Sequence, residues 1–189
     1  MDKSTGVIIK VSGPLVVASG MRSAKLYEVV KVSDQKLIGE IIELKEDHAS
    51  IQVYEETAGI GPGEKVYRTG ATLSVELAPG LLTSIYDGIQ RPLELIEKTV
   101  GPFITRGIDV PGLDRKKKWA FNAVAKKGAH VTGGDILGEV QETTLIMHKV
   151  MVPPSISGEL IEIHGGEKTI EETIAVVQGD DGKKHEIMM

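Results

Sequence analysis

From residue 6 to residue 68 the chain alternates short apolar runs with turn residues, and that rhythm restricts the fold more than any other feature. The runs are residues 7–11, 15–18, 26–32, 37–44 and 49–54, with Val66 and its neighbours. Between them stand Ser12-Gly13-Pro14, Ser33-Asp34-Gln35, Lys45-Glu46-Asp47 and Gly61-Pro62-Gly63. Short β-branched runs punctuated in this way read as strands. The loops are too short for helical crossovers, so sequential strands are expected to pair as antiparallel hairpins. A unit of roughly 65 residues buries only about 60% of the surface its unfolded chain exposes, so a closed barrel without edges is favoured over an open sheet.

Composition agrees with a mainly β protein. Two Phe, one Trp and four Tyr in 189 residues leave Val, Ile and Leu to build the cores, and branched side chains suit pleated surfaces. The length allows one medium domain or two small ones. A net charge of −5 opposes attraction of the whole chain to nucleic acid or anionic lipid. With no cysteine, disulfides, thiolate metal sites and cysteine nucleophiles are excluded. No apolar run approaches the ~20 residues of a membrane helix, and the start MDKSTGVIIK lacks a signal-peptide core, so the chain itself is expected to be soluble.

A different texture begins at Thr72. In PGLLTSIYDGIQRPL, residues 79–93, Leu81, Leu82, Ile85 and Ile89 are spaced like one face of a helix, which predicts a buried helical passage. Asp87-Gly88 then supplies a turn or helix end, and Arg91-Pro92 opens a second short helix. Residues 101–107, GPFITRG, read as an extended connector. This stretch has too few residues to close a core, and it needs either a covering domain or a place between two β units. After Pro111-Gly112 a second β series begins with the basic run Arg115-Lys116-Lys117-Lys118, then Trp119 and Phe121. Strands are predicted at 136–140, 145–152 and 159–163, and a hairpin of 169–177 with 184–188 around Asp180-Asp181-Gly182.

Candidate chemistry is thin. The phosphate-binding pattern G-x-x-x-x-G-K-[S/T] is absent. Gly179-Asp180-Asp181-Gly182-Lys183-Lys184 comes nearest, but its glycines are too close, no hydroxyl follows Lys183, and its carboxylates repel phosphate; it reads as a hairpin turn. His48, His130, His148, His164 and His185 lack the close spacing of paired metal ligands. Glu55-Glu56 and Glu171-Glu172 are sequence neighbours that point to opposite faces of a strand, and both pairs are expected to be solvated. The basic run with Trp119 and Phe121 has the makings of a nucleic-acid clamp, although a turn leading into a strand is the simpler reading. No catalytic, cofactor-binding or metal-ligating residue is assigned. Residues 126–163 also resemble biotinyl and lipoyl carrier domains, but where the modifiable lysine belongs at a hairpin tip this chain has Thr144 and Leu145. Lys149, between His148 and Val150, lies too close to Pro153 for that role.

As a literal string, PGLLTSIYDGIQRPL closely resembles a run near the N-terminus of the catalytic A subunit of V-type and archaeal A-type rotary ATPases. The likeness continues through Val11-Ser12-Gly13-Pro14, Gly39-Glu40-Ile41, the block QVYEET from Gln52 to Thr57, and Arg106-Gly107-Ile108-Asp109-Val110-Pro111. It extends to Lys118-Trp119-Ala120-Phe121, the block GGDILGEV at 133–140, and His148-Lys149-Val150-Met151-Val152-Pro153-Pro154. The resemblance implies an N-terminal barrel over residues 1–71, the first segment of a nucleotide-binding domain over 72–110, and an A-subunit insertion over 111–189. The partners it implies are B subunits and, through 111–189, peripheral-stalk subunits, with the membrane reached only indirectly from its cytoplasmic side and no nucleic acid. Mg-ATP or ADP would be held by parts of the family lying downstream, so this stretch is expected to be scaffold rather than catalyst. A free-standing carrier or β-rich binding module is the alternative.

Overall fold

The computed structural model describes residues 5–189 and divides the chain into two compact units. The first comprises the chain up to Val75 together with Asp87–Val110; the second comprises Glu76–Tyr86 and Pro111–Met189. Nearly all regular structure is strand, with a single α-helix among the described residues.

In the first unit, β1 (Thr5–Ser12), β2 (Leu15–Ser19), β3 (Glu28–Val32), β4 (Leu37–Lys45), β5 (His48–Val53) and β6 (Lys65–Thr72) close into an antiparallel barrel of order β1-β2-β5-β4-β3-β6. Alternate residues point inward: Val16 and Ala18, Val30 and Val32, Ala49, Ile51 and Val53 are all buried, as period-two strands require. Hairpins join β1 to β2, β3 to β4 and β4 to β5. Sequential pairing fails at two places: β2 pairs with β5, and β6 closes the barrel between β3 and β1. Register shifts mark bulges in β1 at Ile9 and in β4 at Ile42, which increase local twist and help the sheet curl.

Tight turns are fixed by backbone chemistry. Ser33 adopts φ 62° and its hydroxyl accepts the Gln35 N–H, reversing the chain between β3 and β4. Among the described residues the barrel's one deeply buried carboxylate is Glu28, which accepts the Lys25 and Gly70 N–H groups and a two-pronged contact from Arg68 at 3.0 and 2.9 Å. Burial pushes the Glu28 pKa up, but Arg68 and these backbone donors together outweigh it and hold the group below the ordinary glutamate range.

The second unit is a sandwich of two four-stranded sheets. One has the order β10 (Met147–Met151), β9 (Ile136–Gln141), β7 (Trp119–Ala123), β12 (Gly166–Lys168). The other has β14 (Lys184–Ile187), β13 (Ala175–Gly179), β11 (Gly158–Ile163), β8 (His130–Val131). Phe121, Leu137, Val140 and Val150 of the first sheet share a core with Val131, Leu160, Val177 and Ile187 of the second. Two predicted strands are shorter than expected: 169–172 forms a turn held by Thr169 and Glu172, so β13 starts at Ala175, and β10 starts at Met147. The short strands β8 and β12 carry no sequence signal of their own; each is recruited by a neighbour, β11 and β7.

Candidate functional site

The stretch between the barrel and the sandwich is where structure and sequence expectation part. Its second half belongs to the barrel unit. Pro92 sits at the N-cap position of α1 (Leu93–Val100), with Glu94 in the first turn and Lys98 in the last, each favourable to the helix dipole. Gly101 ends the helix at φ 89°, its N–H donating to the Glu97 carbonyl. Eight residues are too few for a stable isolated helix, so tertiary contacts must hold it.

Arg91 is the hub of those contacts. Its Nε donates to Asp87 at 2.7 Å, and its Nη1 to Glu55 at 3.1 Å and to the Ile108 carbonyl. Glu55 also accepts the Gly107 N–H at 2.6 Å. Arg106 donates to the Glu56 and Ala58 carbonyls, and Lys31 pairs with Asp109. Burial raises the Asp87 pKa, but the N–H and side chain of Arg91 and the Ile89 N–H lower it by more, leaving it depressed. Glu55 is therefore no solvated carboxylate as the strand argument supposed: its side chain is only 10% exposed, because the arginine fixes it in place.

The first half, Glu76–Tyr86, belongs to the sandwich unit. No helix forms across 79–92, contrary to the periodicity of its apolar residues. The chain bends at Gly80, φ 105°, where a Cβ would press on the Trp119 ring at 3.2 Å, and the Gly80 and Leu82 N–H groups both donate to Glu142 Oε1 at 2.9 Å. A run of turns follows, with Leu81 packed on the sandwich core and Leu82 and Ile85 exposed. The turn expected at Asp87-Gly88 and the short helix after Arg91-Pro92 are both present.

Other sequence candidates take structural positions. Trp119 and Phe121 are buried in the core, so neither face is open for base stacking, and Arg115 is committed to Glu76 through two contacts of 2.6 and 2.7 Å. Gly179 to Lys184 is the β13–β14 turn, where the Gly179 N–H meets the Lys183 carbonyl. Its carboxylates stay charged: the Ser157 hydroxyl lowers the Asp180 pKa and the Lys183 N–H lowers that of Asp181. His130, His148, His164 and His185 each face one carboxylate, Asp180, Glu142, Glu162 and Asp181, while His48 begins β5. Among the described residues no group of three or more His, Asp or Glu is placed to hold a metal ion. Glu171 and Glu172 remain largely solvent-exposed. At the tip of the β9–β10 hairpin, Leu145 is 93% exposed where a carrier domain would present lysine. An open cleft of about 310 Å³ in the sandwich unit is lined by Glu76, Leu77, Ala78, Arg115 and Ile170, but its charges satisfy one another. The residue missed by sequence reading was Glu142, whose type and spacing alone carried no hint of its burial.

Residues 8–70 match the family described as ATP synthase alpha/beta family, beta-barrel domain, and residues 110–189 match the ATP synthase alpha/beta subunit barrel-sandwich domain. The chain belongs to the ATP synthase alpha/beta family. Among its relatives there, the V-type ATP synthase alpha chain of Thermoanaerobacter sp. (strain X514) is 59% identical over 186 residues, 98% of this chain and 32% of the relative. The A subunit of the A-type ATP synthase of Pyrococcus horikoshii is 62% identical over 185 residues, 97% of this chain and 19% of the relative. That of Methanopyrus kandleri is 57% identical over 185 residues, with 97% and 31% coverage. This ATP synthase family member thus spans a third or less of the length of these curated relatives, matching their N-terminal part. Among its described residues no helix is long and apolar enough to cross a membrane.

Proposed function

We propose that this chain is the N-terminal portion of the catalytic A subunit of a V/A-type ATP synthase or ATPase, in which ATP chemistry is coupled to ion movement across a membrane. In this reading residues 1–71 are the assembly barrel, 72–110 the first segment of a nucleotide-binding domain, and 111–189 an outward insertion. The observation that carries it is identity of about 60% to proteins of that name, running through barrel, connector and sandwich without a break in coverage.

Physical features support the division. Leu73, Val75, Leu77, Leu82, Ile85, Leu95, Val100, Phe103 and Ile104 are all exposed, whereas the barrel and sandwich each close a core of their own. Apolar surface of that density along one short stretch suits a segment that a larger domain covers. In the barrel, β1 exposes Val7 and Ile9 and β4 exposes Ile42 and Leu44, and these strands stand three places apart in a ring of six. A barrel with apolar contacts on opposite sides suits membership of a ring, here with B subunits as neighbours. The sandwich offers its surface to peripheral-stalk subunits, and the assembly would lie on the cytoplasmic side of its membrane.

The test is the reading frame after codon 189, searched for G-x-x-x-x-G-K-[S/T], followed by expression of the longer product with B subunits. Mg-ATP hydrolysis by that assembly and none by the 189-residue chain is the expected result. A longer product without the motif overturns the proposed identity; hydrolysis by the chain alone overturns the scaffold role.

A further inference from the structure

Glu142 links two features of the sandwich unit. Its side chain is fully buried, its Oε1 accepts the Gly80 and Leu82 N–H groups at 2.9 Å each, and its Oε2 lies 3.4 Å from His148 Nδ1. It is also the first residue of the loop that displays Leu145. That loop is tightly tied: the Glu142 and Thr143 N–H groups donate to the Ile146 carbonyl, and the Leu145 and Ile146 N–H groups donate to Thr143 Oγ1. Gln141 Nε2 adds contacts to the Thr143 and Ile146 carbonyls. The loop is thus a stiff piece with one end in solvent and the other holding the backbone of a different segment.

We propose that loop 142–146 is a lever: displacement of its exposed Leu145 end is transmitted through Glu142 to the Gly80–Leu82 backbone. A carboxylate accepting two N–H groups holds a backbone in one bend with a directionality that apolar packing lacks. Loss of the grip leaves two donors that must find water, so segment 79–86 opens while the sheets persist. That the moving segment belongs to a nucleotide-binding domain rests on the function proposed above; the lever itself does not. Glu142 is a positioning residue, acting through the backbone it holds.

Amide hydrogen exchange of the 189-residue chain tests this. E142A is expected to speed exchange at Gly80 and Leu82 tenfold or more, leaving β11 and β13 within twofold, and E142Q, which keeps an acceptor oxygen, is expected to restore most of the protection. T143V leaves Glu142 in place but unties the loop, and it is expected to speed exchange at the same two amides several-fold. Should E142A fail to fold, T143V decides alone. Unchanged exchange at Gly80 and Leu82 in T143V, or in E142A, overturns the lever. These readouts need no nucleotide, so their failure would be distinct from failure of the function proposed above.

Discussion

Single residues carry unequal weight in this protein. Gly138 lies in β9 where a Cβ would run into the Phe121 ring and come within 2.6 Å of the Asn122 carbonyl oxygen. Neither a core ring nor a paired strand can yield cheaply, so G138A is expected to cost about 1–3 kcal/mol in urea unfolding of the sandwich. Gly61, with open space around its Cβ position, serves as the neutral control. In the barrel, R68M leaves Glu28 charged, 1% exposed and without its guanidinium, at an expected cost of about 3–5 kcal/mol. Glu28 also sets an acid limit. Because its folded pKa lies below the ordinary value, the stability it contributes is fully present above about pH 5 and is lost as pH falls through the depressed folded value. Denaturation midpoints measured from about pH 6 down to about pH 2.5 should fall more steeply in the native chain than in E28Q.

At the scale of elements, the connector shows how a helix is placed by charge rather than by its own propensity. α1 buries only Ile96, and the loop before it and the irregular stretch after it converge on Arg91. R91A strands Asp87 and Glu55 without their shared cation, and it is expected to raise amide exchange across α1 and at Gly107 while the barrel strands stay protected. Uniform protection in R91A would show that apolar contacts suffice. The contrast with residues 79–86 is instructive, because both stretches have helix-spaced apolar residues. One starts after Pro92 with a favourable first turn; the other bends at Gly80, φ 105°, and continues as a run of turns.

For the whole molecule, two closed cores and an apolar connector surface predict distinct behaviours. Phe103 and Ile104 are 82% and 55% exposed, so F103S/I104S should leave the melting temperature within about 2 °C, a shift that corresponds to about 1 kcal/mol or less. The same variant should lower binding of an apolar-surface dye and slow self-association, measured by light scattering. A fall in melting temperature instead would mean that these side chains are already covered in the isolated chain.

Strand positions in the barrel, the turns between them and the hairpin at Asp180-Asp181-Gly182 were legible in the sequence, because period-two burial and turn chemistry are local properties. Family membership was legible too, from strings such as PGLLTSIYDGIQRPL. Three things were decided only in three dimensions: the barrel order that separates β2 from β3, the burial of Glu55 and Glu142, and the loss of helix at 79–86. Each depends on partners far along the chain, Arg91 for Glu55 and Gly80 for Glu142 among them, and no local pattern encodes which distant group will supply a hydrogen bond.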